Sequence, residues 1–125
     1  VTERQLVYLE SVDGRYRWVD GNGVGFRMTD AGVEGVPVAV LTDPDERLYA
    51  DVATVAAHLP ETLRPSVKQI RAKGVGDITI ALTDGGQVVW GSAEQSQLKS
   101  EVLATLLSVE ARTYDVSAPS HPTTK

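Results

Sequence analysis

The sequence predicts an α+β domain, in which a mainly antiparallel mixed sheet has two helices packed on one face. Short segments rich in β-forming residues are joined by tight Asp-Gly and Asn-Gly turns, which is typical of hairpins. Two segments of helical periodicity lie among them, and each has one apolar side that would pack on a sheet. A length of 125 residues allows one domain with one core and is too short for two.

Eight segments are predicted to be strands, because β-branched and aromatic residues alternate or cluster in them between turn residues. The turn signals Asp13-Gly14 and 20–23 make the first three a local antiparallel meander. Pro37, which lacks a main-chain N–H, makes the fourth an edge strand or a short strand. The predicted strands cover residues 1–10, 15–19, 24–28, 36–41, 66–72, 77–82, 87–90 and 111–116.

Two helices are predicted from capping signals and apolar periodicity. The first begins with Asp43 as the N-cap, Pro44 at the first helical position and Glu46 closing a capping box, and it ends before Pro60. The second begins with a similar capping-box pattern at residues 92–95. The apolar stripes are Leu48, Val52, Val55 and Leu59 in the first helix, and Leu98, Val102, Leu106 and Val109, widened by Leu103 and Leu107, in the second.

The charge and the composition exclude several classes of function. A formal net charge of -5 and scattered basic residues, of which Lys68, Arg71 and Lys73 form the densest stretch, give no surface for nucleic acid. The absence of cysteine excludes disulfides, thiolate metal sites and a cysteine nucleophile. No apolar run is long enough to span a bilayer. The chain begins abruptly without Met, so we interpret it as a domain excised from a longer protein.

No arrangement of residues predicts catalysis, a metal site or a cofactor. The glycine-rich turn at residues 21–25 is followed by a strand rather than by the helix that a phosphate loop requires. His58 and His121 have no further ligands at metal-binding spacing, and the carboxylates fall in caps and turns. Trp18 and Trp90 lie in predicted strands, where core packing is a more common role than ligand binding. We therefore expect a protein that is not an enzyme and uses no cofactor.

The last predicted strand is the most informative segment for a binding function. Residues 112–119 lie near the end of the chain, and the tail after them contains Pro122 and no hydrophobic run, so we expect it to be loose. A terminal strand without a neighbour on one side exposes main-chain N–H and C=O groups, and these can accept a strand from another protein. The alternative is that the tail or a charged side chain covers this edge, and periodicity alone favours that alternative.

Five motifs follow one another in a characteristic order. They are Glu3-Arg4-Gln5-Leu6-Val7, the hairpin Tyr16-Arg17-Trp18-Val19-Asp20-Gly21-Asn22-Gly23-Val24-Gly25-Phe26, Val36-Pro37-Val38, residues 78–90 with the capped helix at Ser92, and Tyr114-Asp115-Val116-Ser117-Ala118-Pro119. In order and spacing, over essentially the whole chain, they resemble the extracytoplasmic β domain of the FtsQ/DivIB family, especially its actinobacterial members. Leu6 stands where the family has Pro, and Ser117 and Ala118 stand where the best-studied branch has a basic and an aromatic residue.

The resemblance implies a longer protein, with a short cytoplasmic segment, one transmembrane helix and a POTRA domain before this one. Residues 1–10 would then be a strand that leads in from the missing POTRA domain, residues 11–119 the FtsQ-type β domain, and residues 120–125 a loose C-terminal tail. The domain would lie on the extracytoplasmic face of the cytoplasmic membrane, at the division septum.

The resemblance also implies a noncatalytic scaffold of the bacterial divisome. Its partners would be FtsB/DivIC-type and FtsL-type division proteins, with FtsW and FtsI as further candidates. In the family, a β-strand and the juxtamembrane coiled-coil end of the partner dock on the last strands of this domain. The expected partner-binding residues are Arg112, Thr113, Tyr114, Asp115, Val116, Ser117, Ala118 and Pro119, with Arg71 and Lys73 on a neighbouring strand.

Two other functions remain open at this point. A small cell-envelope hydrolase or carbohydrate-binding domain would need a pocket with convergent carboxylates. A rigid spacer between membrane and septum would have no defined partner edge. Strand addition predicts that Val116→Pro weakens partner binding and that Tyr114→Ala matters less.

Overall fold

The computed structural model describes residues 6–124, which form nine strands, two α-helices and a short 3₁₀ helix at Arg64–Ser66. Neither α-helix in this part of the chain has the length and apolarity that crossing a bilayer requires. The strands are β1 (Tyr8–Val12), β2 (Arg15–Val19), β3 (Gly25–Thr29), β4 (Val38–Leu41), β5 (Val67–Gly74), β6 (Asp77–Leu82), β7 (Gln87–Gly91), β8 (Thr113–Asp115) and β9 (Thr123–Thr124). The helices are α1 (Glu46–Ala57), between β4 and β5, and α2 (Ser96–Leu106), between β7 and β8.

All nine strands belong to one sheet, in the order β3-β2-β1-β4-β5-β6-β7-β8-β9. Five of the eight neighbouring pairs are antiparallel, and three, β1–β4, β4–β5 and β7–β8, are parallel. Two of the parallel pairs are those whose strands are joined through α1 and α2, because a parallel connection needs a long crossover. The predicted α+β class and the mainly antiparallel mixed sheet are confirmed.

One hydrophobic core lies between the sheet and the helices. Alternate strand residues point into it, and Ile78 and Ile80 of β6 are fully buried. All four residues of the stripe predicted for α1 are buried there, and Leu103 of α2 joins the same cluster. Both helices therefore cover one face of the sheet, and within residues 6–124 no helix covers the other face.

The first helix begins two residues later than predicted. Its N-cap is Asp45, whose Oδ1 accepts a hydrogen bond from the main-chain N–H of Leu48 at 2.8 Å. Asp45 has the extended backbone that a cap requires, whereas Asp43 has a φ of 45° in the left-handed region. Pro44 consequently precedes the cap instead of occupying the first helical position. The backbone conformation therefore places the cap at Asp45 rather than at the predicted Asp43.

The second helix also begins later than predicted and uses no capping box. Gln95 stands at the N-cap position with a φ of 57°, and its side chain makes no cap bond. Ser92, the predicted cap, instead accepts a hydrogen bond at its carbonyl oxygen from Lys99 Nζ at 2.7 Å.

The apolar stripe predicted for α2 is wrong at its two ends. Leu98 and Val109 are 42% and 48% exposed, and Val109 lies beyond the helix. The buried residues of α2 are Ser96, Lys99 and Leu103. The remaining members of the predicted stripe, Val102, Leu106 and Leu107, are partly buried against the core.

The fourth strand is central rather than at an edge. It pairs in parallel with β1 on one side and with β5 on the other. Pro37 does not prevent this, because it lies just before β4 and acts only as an acceptor: its carbonyl oxygen takes a hydrogen bond from Leu9 N–H at 2.9 Å.

Within residues 6–124, both ends are more integrated into the sheet than predicted. β1 lies between β2 and β4, and Tyr8 and Leu9 are fully buried, so the expected boundary between residues 10 and 11 falls inside a core strand. Residues 1–5, which belong to the first predicted strand and the first motif, lie outside the described residues. In the tail, Thr123–Thr124 pairs with β8, so the expectation of a loose tail is wrong for these two residues.

Candidate partner-binding site

Residues 112–119 occupy the C-terminal end of the sheet. Among them, Tyr114 and Val116 are buried in the core, and the others are exposed or partly buried. The predicted last strand is present as β8, but it is not the outermost strand, since β9 lies beside it. The expectation of an uncovered edge at β8 is therefore corrected: the tail covers it, as the alternative from periodicity proposed.

Main-chain hydrogen bonds fix the inner side of β8 to β7. The N–H of Gln87 donates to the carbonyl oxygen of Arg112 at 2.8 Å, and the N–H of Val116 donates to the carbonyl oxygen of Val89 at 3.0 Å. The N–H of Val116 is thus already used within the domain. Val116→Pro would break the sheet of the domain itself, so the proline test expected from the sequence does not report on partner binding alone.

Tyr114 anchors β8 through its side chain. Its ring belongs to the core cluster, and its hydroxyl donates a hydrogen bond to the carbonyl oxygen of Val109 at 2.6 Å, just after α2. Tyr114→Ala would remove this bond and leave a cavity in the core. It is therefore unsuitable as a mild control for partner binding.

The outer side of β8 presents the main-chain groups of Thr113 and Asp115. Successive residues of a strand direct their N–H and C=O groups to alternate sides. Because Arg112 and Val116 bond to β7, Thr113 and Asp115 direct theirs toward β9. Asp115 lies opposite Thr123, which makes this pair the hydrogen-bonded one of the short β8–β9 ladder.

Two glycines let the chain pass close to both ends of β7. A Cβ on Gly86 would lie 2.9 Å from the carbonyl oxygen of Arg112, and a Cβ on Gly91 would lie 2.9 Å from Cβ of Ser117. Gly91 also has a φ of 85°, which favours glycine. Beyond β8, Asp115 Oδ1 accepts hydrogen bonds from the Ser117 N–H at 3.0 Å and from its hydroxyl at 2.6 Å. These contacts hold the segment before and after β8 in place.

A buried lysine lies at the same end of the sheet, and the sequence pattern did not identify it. Lys99 is 1% exposed, and its Nζ donates to the Ser92 carbonyl oxygen at 2.7 Å. A Cβ on Gly91 would lie 4.0 Å from this Nζ. Burial lowers the pKa of Lys99, and the charge of Glu94 opposes this shift. A charged residue is normally assigned to the solvent face, and the only signal for burial was a position one turn before Leu103.

Arg71 and Lys73 do not lie on a strand next to β8. They belong to β5, and β6 and β7 lie between, so three strand spacings of about 14 Å in total separate β5 from β8. The predicted neighbourhood is therefore wrong. The register nevertheless places Arg71 opposite Thr79, Thr79 opposite Val89, and Val89 opposite Asp115, so the four form one row across the sheet.

This row lies on the helix-free face of the sheet. Ile70 and Ala72, on either side of Arg71, are buried in the core, so the alternation of the strand directs Arg71 to the opposite face. Tyr114 points into the core, and the same alternation places Asp115 on the helix-free face. The row thus runs from an exposed cation on β5 to a partly buried carboxylate on β8.

Two surface cavities bear on the enzyme alternative. One, of about 390 Å³, has Glu34 and Arg64 as its charged lining residues, and the other, of about 400 Å³, has Arg17 and Arg27. Neither lining contains the pair of carboxylates that glycoside hydrolysis uses. Within residues 6–124, no group of three or more His, Asp or Glu residues is placed to hold a metal ion. These two cavities therefore give the hydrolase alternative no support.

Comparison with known families accounts for the motif order. Residues 7–118 match the family described as cell division protein FtsQ/DivIB, C-terminal. The chain belongs to the FtsQ/DivIB family of cell-division proteins. The resemblance predicted from the sequence is confirmed, and of the expected partner-binding residues only Pro119 lies outside the matched range.

Actinobacterial cell division proteins FtsQ are similar to the chain. The protein from Streptomyces bingchenggensis is 33% identical over 133 residues, which cover 98% of this chain and 50% of that protein. The protein from Mycobacterium leprae is 40% identical over 105 residues, which cover 74% of this chain and 31% of that protein. The chain therefore spans half or less of the length of these two relatives.

A solved structure shows the same fold. The major extracytoplasmic domain of the cell division protein DivIB from Geobacillus stearothermophilus superposes with a TM-score of 0.63 at 18% sequence identity. The superposition covers 81% of this chain and 88% of that chain. The α+β architecture is thus shared with a DivIB domain.

Proposed function

We propose that this domain is a noncatalytic scaffold of the divisome, which binds FtsB/DivIC-type and FtsL-type partners at its C-terminal strands. One observation carries the proposal. The inner side of β8 is fixed to β7, whereas the outer side of β8 pairs with a strand of only two residues. A firmly held strand with a weakly covered outer side is suited to strand addition.

The proposed setting is the extracytoplasmic face of the cytoplasmic membrane at the division septum. Membership of a cell-division family supports this setting, and the greater length of the relatives is consistent with a membrane anchor and a POTRA domain elsewhere in the whole protein. FtsW and FtsI are proposed as further members of the complex. The role of the domain is assembly: docking holds membrane partners together where the septal wall is made.

The partner would use two parts of the surface. An extended segment pairs with the outer side of β8 and gains main-chain hydrogen bonds. A second segment lies across the helix-free face, along the row from Asp115 to Arg71, and an acidic side chain in it meets the exposed guanidinium of Arg71. Lys73, which is exposed on the same strand, contributes in the same way. The contribution of β5 thus needs a partner that spans about 14 Å of sheet.

The test is an NMR titration of the isotopically labelled domain with the soluble ectodomain of an FtsB/DivIC-type partner, alone and with FtsL. We expect amide shifts at residues 112–118 and at Arg71, and small shifts on the solvent side of α1 and α2. A folded domain without shifts would favour the rigid spacer. Shifts confined to the cavity lined by Glu34 and Arg64 would overturn the proposed surface.

A charge-reversal pair separates the helix-free face from a general electrostatic effect. Arg71→Glu should weaken binding by about tenfold or more, since it replaces an attraction with a repulsion at the interface. Arg47→Glu is the matched control, because Arg47 lies on α1 and its side chain is 70% exposed. Equal weakening by both substitutions would mean that net charge rather than this face controls binding.

A further inference from the structure

We infer that β9 is an internal occupant of the partner-binding edge, and that an extended strand of the partner replaces it on the outer side of β8. The partner half of this inference rests on the proposed function. The structural half, that β9 opens separately from the rest of the domain, stands without it.

Little besides main-chain pairing holds β9. It consists of Thr123 and Thr124, which lie opposite Asp115 and Tyr114. None of the residues 117–124 is buried, so no side chain of this segment joins the core. The few hydrogen bonds gained by two residues compete with the entropy of ordering the tail. A segment of this kind opens at a lower free energy than the core does.

Opening of β9 leaves β8 in position. The hydrogen bonds of Arg112 and Val116 to β7 do not involve the tail, and neither does the bond from the Tyr114 hydroxyl. Gly86 and Gly91 keep their close approaches to the chain on either side of β8. The acceptor strand is therefore already formed when its outer side becomes accessible.

An incoming strand as long as β8, which has three residues, can pair along the whole of it. Such a strand would bond to the outer main-chain groups of Thr113 and Asp115. Because β9 is tethered to the same chain, it competes at a high effective concentration. The apparent affinity of the partner is then its affinity for the open form multiplied by the fraction of molecules in which β9 is open.

Native-state hydrogen exchange tests the structural half. The N–H of Asp115 is directed to β9, whereas the N–H of Val116 is bonded to Val89 in β7. After correction for intrinsic rates, Asp115 should exchange at least about ten times faster than Val116, since local opening exposes only the former. Equal protection of the two amides would show that β9 opens only with the whole domain and would overturn the inference.

Two proline substitutions in β9 form a matched pair. Thr123 lies opposite Asp115 in the bonded pair, so its N–H is directed to β8, and the N–H of Thr124 is directed outward. Thr123→Pro removes a β8–β9 hydrogen bond, and Thr124→Pro removes none. We expect Thr123→Pro to abolish the exchange protection of Asp115 and to leave that of Val116 unchanged. In Thr124→Pro, both amides should be protected as in the parent domain.

The partner half is tested with the same variants and the FtsB/DivIC-type ectodomain. Thr123→Pro should tighten partner binding, because it removes the competing closed form. The expected gain in affinity is the ratio of closed to open molecules, and the exchange protection of Asp115 measures that ratio independently. Thr124→Pro should bind like the parent. Weaker binding by both variants would mean that the partner adds to the outer side of β9, and would overturn replacement.

Two outcomes distinguish a failure of partner binding from a failure of the competition by β9. If Asp115 exchanges separately but no variant binds the ectodomain, the proposed function fails and the opening of β9 stands. If the parent binds and both variants bind equally, the proposed function stands and the competition by β9 is refuted.

Discussion

At one edge of the sheet, four of the five residues of β3 pair with β2, and within residues 6–124 no strand covers its outer side. At the other edge, β8 has three residues and is covered by the two-residue β9. Both edges present the same hazard, a row of main-chain groups that can pair with another chain. The two edges deal with it by different means.

The β3 edge is protected by its own side chains and by an irregular backbone. The register between β2 and β3 shifts at Trp18, so that Phe26 has no residue directly opposite it. The guanidinium of Arg27 lies 5.0 Å from the centre of the Trp18 ring, and Phe26 meets the same ring edge-on at 6.1 Å. A bulge and a charged residue on an edge strand both disfavour strand addition.

The C-terminal edge is instead protected by main-chain pairing with a segment that has no core residues. A charged side chain such as Arg27 protects its edge for as long as β3 is folded, whereas a paired tail can detach while the rest of the domain stays folded. The difference indicates that one edge is closed permanently and the other reversibly. It also explains why β8, which main-chain hydrogen bonds fix to β7 on its inner side, is suited to receive a partner on its outer side.

Proline substitutions should have the largest effect and should distinguish the two edges directly. Val116→Pro removes the hydrogen bond to Val89 in a fully buried residue, so it should lower the free energy of unfolding by about 3 kcal/mol or more. Urea denaturation followed by circular dichroism measures this loss. A destabilisation below 1 kcal/mol, taken as roughly the size of one lost hydrogen bond, would mean that β8 is not fixed to β7 as described.

Met28→Pro is the matched substitution on β3. Asp20 donates its N–H to Val24 across the β2–β3 turn, so alternate residues of β2, such as Trp18, direct their main-chain groups to β3. Trp18 pairs with Arg27, which leaves the N–H of Met28 directed to solvent. Met28→Pro should therefore cost less than about 1 kcal/mol. A loss as large as that of Val116→Pro would contradict the assignment of an open side to β3.

A glycine pair should have an intermediate effect and tests how firmly β8 is held. Gly91 and Gly85 have φ values of 85° and 90°, but only at Gly91 would a Cβ collide with Ser117. Gly85→Ala should cost about 1 kcal/mol for the backbone alone, and Gly91→Ala about 2–3 kcal/mol. The difference should appear in thermal denaturation, with chemical-shift changes at Ser117 only for Gly91→Ala. Equal losses would show that the chain after β8 yields easily.

The smallest effect is expected from the buried lysine and depends on pH. Because burial lowers the pKa of Lys99 in the folded state, the folded state binds this proton more weakly than the unfolded state does. The stability of the parent should therefore rise, relative to Lys99→Met, as the pH increases from the lowered pKa toward the unfolded value of about 10.4. Lys68→Met, at an exposed position, is the control for the general effect of removing a lysine charge. A pH-independent difference for Lys99→Met would mean that Lys99 is solvated.

Much of the local structure could be predicted from the sequence. The hairpin signals placed the β1–β2 and β2–β3 pairs correctly, and the stripe of α1 from Leu48 to Leu59 is buried as predicted. The motif order sufficed for the family. These features depend on residues that are close in sequence, where turn chemistry and side-chain periodicity are sufficient guides.

The candidate site was predicted less completely. The sequence located the last strand, but it could not show that Thr123–Thr124 pairs with it or that Arg71 lies three strands away. It also assigned Lys99 to no role, although this residue is 1% exposed. Short segments of small polar residues carry no pattern that marks them as strands, and strand order depends on contacts between distant segments.

The sequence by itself therefore determined most of the elements, the fold class and the family, because turn residues and apolar periodicity act over a few residues. Only the tertiary structure decided which strands are neighbours, which side of β8 is occupied, and where the row from Asp115 to Arg71 runs. Those features consist of main-chain hydrogen bonds between remote segments. Every residue except proline offers the same main-chain donor and acceptor, so the side chains do not show which segments will pair.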